Sequence, residues 1–294
     1  MPRSVIVALV LAAACSKAPE PLPTIRSTPL RDRTAVDGPR FTKVDPAGSG
    51  LVFQNELRRE NVVAYVYSGA GLAVGDYDGD GLPDVYLVSQ DGPNRLFRQT
   101  APLRFADVTE RAGGLDGGDA WGNAASFADV DNDGDLDLYV CNLESPNLLY
   151  QNRGDGTFEE KAGTFGLGLT AASMGCAFAD YDNDGDLDLY VLTNRVLKHR
   201  LPDEIVAGIT LPKAMRKTKA ELLPPYPSFA RDERGDLVVP KGYEDHFFTQ
   251  PGSPAPFQAG QCDRLFRNDG YANWVDVTAE AGIADHGNGL SVVW

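Results

Sequence analysis

The stretch FADVDNDGDLDLYV, Phe127 to Val140, sets five aspartates at alternate positions from Asp129 to Asp137 and then turns into an apolar run. Like charges at that density repel one another, so a chain that folds around them needs a compensating cation or many hydrogen bonds. The stretch recurs. GLAVGDYDGDGLPDVYLVS covers Gly71–Ser89, and CAFADYDNDGDLDLYVLTN covers Cys176–Asn194. Their first aspartates, Asp76, Asp129 and Asp180, stand about 50 residues apart, the period of a propeller blade.

The segments between the loops repeat as well. NRLFRQ at Asn94–Gln99 aligns with NLLYQN at Asn147–Asn152 and DRLFRN at Asp263–Asn268. FADVTERAG at Phe105–Gly113 aligns with WVDVTAEAG at Trp274–Gly282, and FTKV at Phe41–Val44 resembles an earlier copy. Gly154, Asp155 and Gly156 lie between LLYQN and TFEE, a hairpin signal. Leu136, Leu138 and Val140 alternate with Asp137 and Tyr139, the period-two pattern of a strand. Each unit therefore reads as four short strands: one before the acidic loop, one after it, and a closing hairpin. Four-stranded units repeated around an axis predict an all-β fold, a β-propeller with about three and a half blades present over residues 41–294. A β-helix is the structural rival, although its coils are usually much shorter.

Two departures interrupt the repeat. Residues 195–261 carry no copy, and this insert reads as irregular and partly helical. LPKAMRKTKAELL, Leu211–Leu223, is a short basic helix on this reading. The chain also stops at GNGLSVVW, the lead-in to a further acidic loop whose carboxylates are not in the sequence. The expectation is a fragment of a longer propeller.

The acidic pattern is D-x-D-x-D-G-x-x-D. Its carboxylates are Asp76, Asp78, Asp80 and Asp84; Asp129, Asp131, Asp133 and Asp137; and Asp180, Asp182, Asp184 and Asp188. Alternate spacing over a tight turn points carboxylates inward, and Gly81, Gly134 and Gly185 permit that turn. The next residue, Leu82, Asp135 or Asp186, can offer its backbone carbonyl, which leaves its side chain free to vary. All donors are hard oxygens without His or Cys, which selects Ca²⁺ or Mg²⁺ over zinc or copper. A flexible loop with many oxygens favours Ca²⁺, so about three calcium sites are expected. An EF-hand is excluded, because its twelfth position requires a bidentate Glu and here holds Leu87, Val140 or Val191.

The N-terminal residues 1–15, MPRSVIVALVLAAAC, read as an export signal too short for a stable transmembrane helix. The ending at Cys15 resembles a bacterial lipoprotein cleavage box, which implies lipidation of Cys15; an ordinary signal peptide with a chance Cys is the alternative. Residues 16–40 are rich in Pro, Thr and Arg and read as a flexible tether. Cys141, Cys176 and Cys262 show no zinc spacing and read as buried free thiols. With 42 acidic against 27 basic residues the net charge is −15, which argues against nucleic acid or an anionic membrane as the main partner. Any membrane contact would run through the N-terminal lipid alone.

The repeats resemble the FG-GAP or VCBS type found in integrin-α-like propellers. Taken together, FADxDxDGDLDLYV, NxLYxNxGDGTF and DVTxxAG are similar to the cartilage-acidic-protein-like family that carries ASPIC/UnbV tails. The resemblance implies a seven-bladed ring, calcium in the loops, and a secreted or surface protein used in adhesion. It implies no catalytic residues. No GxSxG, HExxH or P-loop pattern occurs, and His199, His246 and His286 stand apart from one another. Lys198, Arg200, Lys213, Arg216, Lys217 and Lys219 could bind an acidic partner or form a solvated helix face. The preferred reading is an exported, non-catalytic, calcium-binding module for protein or polysaccharide, in the cell envelope or secreted. The alternative is a polysaccharide-acting enzyme with its site in the insert or in further blades.

Overall fold

The computed structural model describes residues 43–56, 70–194, 229–241, 247–254, 257–258, 260–270, 273–283 and 292. A short helix, α1 (Pro46–Ser49), is capped by Asp45, which accepts from the Gly48 amide at 3.1 Å. The first blade follows as β1 (Leu72–Gly75), β2 (Asp84–Leu87), β3 (Arg95–Ala101) and β4 (Arg104–Asp107), antiparallel in that order. The second is β5 (Trp121–Ala128), β6 (Asp137–Pro146), β7 (Leu148–Asn152) and β8 (Phe158–Glu160), closed by the one-turn α2 (Ala162–Phe165). The third begins with β9 (Thr170–Ala179) and β10 (Asp188–Thr193).

The insert enters inside this third blade. Its described part is strand and turn: β11 (Ala230–Arg231) pairs with β12 (Leu237–Val238), and β13 (Phe247–Phe248) with β14 (Phe257–Gln258). The expected helix at 211–223 lies outside the described residues. The blade then resumes with β15 (Arg264–Asn268) on β10 and β16 (Trp274–Asp276) on β15. The two ends of the insert are pinned together. Asp263 Oδ1 accepts from the Thr193 amide at 2.7 Å, Tyr190 Oη donates to Asp263 Oδ2 at 2.7 Å, and the Gln261 amide donates to the Asn194 carbonyl at 3.1 Å. Asn94 and Asn147 do the same work in the other blades, each accepting from a backbone amide at 2.8 Å. A long excursion is tolerated there because its closure is fixed locally.

The fold is thus a partial β-propeller of four-stranded blades. Blades 2 and 3 also join edge to edge, because β6 runs past its own blade and pairs Leu143–Pro146 with Ala172–Thr170 of β9. The hydrophobic cores lie between blades. Tyr77, Tyr86, Val88 and Leu96 of blade 1 meet Leu138, Val140 and Phe158 of blade 2. Tyr139, Cys141 and Leu149 of blade 2 meet Leu189, Val191 and Phe266 of blade 3. So β6 is buried on both faces: Leu138 and Val140 point one way, Tyr139 and Cys141 the other. Alternation marks two cores here, where a half-buried strand would have one apolar face. Cys141 is buried as expected, whereas Cys176 and Cys262 are only half-buried; none of the three forms a disulfide among the described residues.

The DVT repeat ends the outer strands of blades 1 and 3. Thr109 Oγ1 accepts from the Leu96 amide at 3.0 Å and donates to Asp107 Oδ1 at 2.6 Å. Thr278 repeats this with the Leu265 amide at 3.0 Å and Asp276 Oδ1 at 2.5 Å. Blade 2 uses Glu160, which accepts from the Ala162 amide at 2.7 Å. No helix among the described residues is long and apolar enough to cross a membrane.

The first strands of blades 1 and 2 approach closely at Gly71. A Cβ there would stand 2.6 Å from both Ala124 Cα and the Asn123 carbonyl oxygen, which are backbone atoms. Gly71→Ala is expected to cost about 1–3 kcal/mol in urea unfolding, since neither neighbour can rotate away. A loss below about 0.5 kcal/mol would mean that the blades are not held at this spacing.

Candidate metal centres

Each acidic loop connects the first two strands of a blade, and the three loops are built alike. The first aspartate accepts two amides from its own turn. Asp76 takes those of Asp80 and Gly81 at 3.1 and 2.8 Å, Asp129 those of Asp133 and Gly134 at 3.2 and 3.0 Å, and Asp180 those of Asp184 and Gly185 at 3.0 and 3.1 Å. The fifth aspartate accepts the seventh amide, at 2.9 Å in every copy: Asp80 from Leu82, Asp133 from Asp135, Asp184 from Asp186. The turn needs left-handed backbone at its fourth and sixth positions. Asn132 has φ 59° and Asn183 has φ 63°, and the sixth-position glycines span 85° to 100°. Gly and, among residues with a side chain, Asn adopt this conformation most readily, which explains the G/N-x-G pattern.

The ninth aspartate does most of the joining. Asp84 accepts from the Tyr77 amide at 3.2 Å and the Gln99 amide at 2.7 Å. Asp137 accepts from Val130 and Asn152 at 3.0 and 2.8 Å, and Asp188 from Tyr181 and Asn268 at 2.9 and 2.9 Å. Each therefore ties the loop to the third strand of its blade. All three are almost fully buried, at 0%, 1% and 0% exposure.

The first, third and ninth carboxylates converge. One oxygen from each of Asp76, Asp78 and Asp84 lies within 4.8 Å of the other two, and the same holds for Asp129, Asp131 and Asp137, and for Asp180, Asp182 and Asp188. Oxygens on opposite sides of one calcium-sized ion stand about 5 Å apart, so each set fits around a single hard cation. In blade 2, Asp131 Oδ1 is buried and has no hydrogen-bond partner among the described residues. An orphaned carboxylate oxygen at the centre of a carboxylate cluster is the atom a cation would satisfy. The fifth aspartates Asp80, Asp133 and Asp184 stand outside the convergent sets. Cys15 and the three histidines lie outside the described residues, as do Lys198, Arg200, Lys213, Arg216, Lys217 and Lys219.

Burial makes these carboxylates reluctant to ionise without a cation. It pushes Asp84 up to about 6 and Asp137 up to about 7 against two opposing amide hydrogen bonds, with neighbouring carboxylates adding to the rise. Asp188 and Asp131 are displaced upward for the same leading reason.

The third strand also reaches the loop, differently in each blade. Arg98 forms ion pairs with Asp78 and, at 2.8 Å, with Asp80. Gln151, one blade on, donates Nε2 to Asp131 Oδ2 at 2.6 Å. Arg267 instead pairs with Asp269 at 2.6 Å. Links between blades run through the next position. Asn152 Nδ2 donates to the Tyr77 carbonyl of the first loop at 2.8 Å, and Asn268 Nδ2 to the Val130 carbonyl of the second at 2.9 Å. Asn132 Nδ2 also donates to Asp186 Oδ1 at 2.5 Å, joining the second loop to the third. Sequence reasoning saw Arg98, Asn152 and Asn268 only as parts of a repeated strand. The repeated column Gln99, Asn152, Asn268 was the signal that could have found the links.

A propeller whose blades turn on such loops falls in a recognised class. The family model described as FG-GAP-like repeat matches residues 76–140 and 129–191, each match running from the first aspartate of one loop to the strand beyond the next. Cartilage acidic protein 1 of Homo sapiens is 26% identical over 155 residues, covering 50% of this chain and 23% of that protein. Its Xenopus tropicalis counterpart is 27% identical over 166 residues, covering 51% of this chain and 25% of that protein. The chain thus spans about a quarter of the length of the curated relatives it matches. Residues 76–191 thus carry FG-GAP-like repeats, and the chain is similar over about half its length to cartilage acidic protein 1.

The raised carboxylates give a signed pH dependence. In chelator, folded Asp137 holds a proton up to about pH 7 that an unfolded Asp loses near 3.8, so its contribution to stability is present below that lower value and is lost as pH rises through the window. Asp137→Asn removes this titration. The stability of wild type relative to Asp137→Asn is expected to fall between about pH 4 and about pH 7.5 in thermal unfolding with chelator. A constant or growing advantage of wild type would contradict the burial argument.

Proposed function

We propose that the chain is an exported, calcium-binding propeller module that binds protein or polysaccharide at the cell surface without catalysing a reaction. The observation that carries the reading is the threefold recurrence of a convergent carboxylate set on one loop design. In each loop the first, third and ninth aspartates would hold the ion. One oxygen of Asp80, Asp133 or Asp184 and the carbonyl of Leu82, Asp135 or Asp186 would complete an all-oxygen cage. Magnesium is less suited, because it keeps several waters and demands a small octahedral site. The N-terminal segment supports export to an extracellular or envelope setting, where Cys15 would serve as a lipid anchor. Calcium is abundant outside cells, and sites with Kd of about 10⁻⁴ to 10⁻³ M fill there.

On this reading calcium supplies charge compensation, and the chain supplies the geometry. Each filled site at 100 times its Kd would add about 2.7 kcal/mol to stability. Asp131→Ala is a clean probe, because the turn amides bond Asp129 and Asp133 and would be left in place. It is expected to lower the unfolding temperature in millimolar calcium, through a loss of about 0.4–1.4 kcal/mol at the Kd given above, with a much smaller change in chelator. Equal destabilisation in both conditions would show that Asp131 acts through packing alone. The binding role is checked by presenting the calcium-loaded full-length protein to arrays of cell-wall polysaccharides and purified surface proteins. Saturable, chelator-sensitive retention is expected, and failure across both classes would contradict it.

A further inference from the structure

The three loops share their carboxylates but not their surroundings, and the difference lies at one strand position. Phe97, Tyr150 and Phe266 occupy equivalent places in the ladders of β3, β7 and β15, opposite Val85, Leu138 and Leu189. The next residues are Arg98, Gln151 and Arg267. Two positions beyond each lie Thr100, Arg153 and Asp269. In blade 3, Asp269 holds Arg267 through two contacts, 2.6 and 3.2 Å, and the guanidinium meets the loop at Tyr181, so that its ion pair among the described residues is with Asp269 and not with a loop carboxylate. Blade 1 has exposed Thr100 at the same place, which offers no charge, and Arg98 turns into the loop onto Asp78 and Asp80.

We infer that Arg98 is an internal counter-ion that competes with a divalent cation for the first loop, so that the three loops fill unequally. This rests on the calcium reading above. Asp78 belongs to the convergent set of loop 1, and the guanidinium on its Oδ2 sets a positive charge beside the place an ion would take. Loop 2 carries neutral Gln151 on the corresponding aspartate, and that residue's second oxygen is unpartnered among the described residues. Loop 1 is therefore partly compensated without metal, at Asp78 and Asp80, whereas the carboxylates of loops 2 and 3 form no ion pair of this kind among the described residues. Calcium entering loop 1 releases Arg98 to the surface beside Thr100, so occupancy there changes the charge that the outer strand presents.

The test borrows the substitutions the protein already contains. Calcium titration calorimetry of the full chain is expected to show two tighter sites and one weaker. Asp78→Asn should abolish the weaker class, and Asp131→Asn one tighter site. Arg98→Gln, which copies blade 2, should tighten the weaker site by roughly two- to thirty-fold, the range two partly exposed ion pairs allow. Thr100→Asp, which copies blade 3, should tighten it less. In the double variant it should add nothing beyond Arg98→Gln, because both act through one guanidinium. In chelator the order reverses: Arg98→Gln should unfold at a lower temperature than wild type, having lost its ion pairs. Three equal sites, with Arg98→Gln within two-fold of wild type, would overturn the inference while leaving the calcium reading intact. Absence of calcium binding by every variant would overturn both.

Discussion

The whole arrangement depends on a buried carboxylate that is pulled in two directions. Asp84, Asp137 and Asp188 are removed from water, which favours their protonated form, yet each is gripped by two backbone amides, which favour the charged form. Two further carboxylates stand within 4.8 Å of each. Such a group is stable either as an acid or as a ligand. The amides orient it, and they come from the start of the loop and from the third strand, so its state is transmitted to the blade it belongs to.

Coupling then passes from blade to blade. The asparagine whose amide serves Asp137 also donates its side chain to the Tyr77 carbonyl in the loop of the preceding blade, and Asn268 does the same for Val130. The second loop positions are themselves core residues: Tyr77 packs on Phe158 of the next blade with ring centroids 5.4 Å apart, and Val130 lies in the following core. A loop that loosens would disturb its own blade through the ninth aspartate and its neighbour through the second position. The acidic corners are therefore joints between blades as well as candidate ion sites.

Much of this was legible in the sequence because the repeat supplies its own alignment. Three copies of D-x-D-x-D-G-x-x-D at blade spacing fixed the strand order, the loop positions and the convergent carboxylates. Other features could not be read because they depend on what lies across a gap. Nothing local in Leu138 to Cys141 says that both faces of β6 are covered; that follows only from blades on either side. Nothing in NRLFRQ says that Arg98 pairs with loop carboxylates while Arg267 pairs with Asp269, which lies outside that repeat. The division of labour among the aspartates was also hidden. Spacing made the fifth position look equivalent to the first and third, whereas its oxygen is used to hold the turn.

Equilibrium dialysis of the folded full-length chain against calcium, with bound metal counted by atomic absorption, is the most direct measurement of whether these corners are ion sites. Occupancy should approach three ions per chain at saturating calcium, one for each convergent set, and should fall by one when Asp137 is replaced by Asn. Folded protein that retains less than one ion at that concentration would contradict the view that captured cations relieve the carboxylate repulsion.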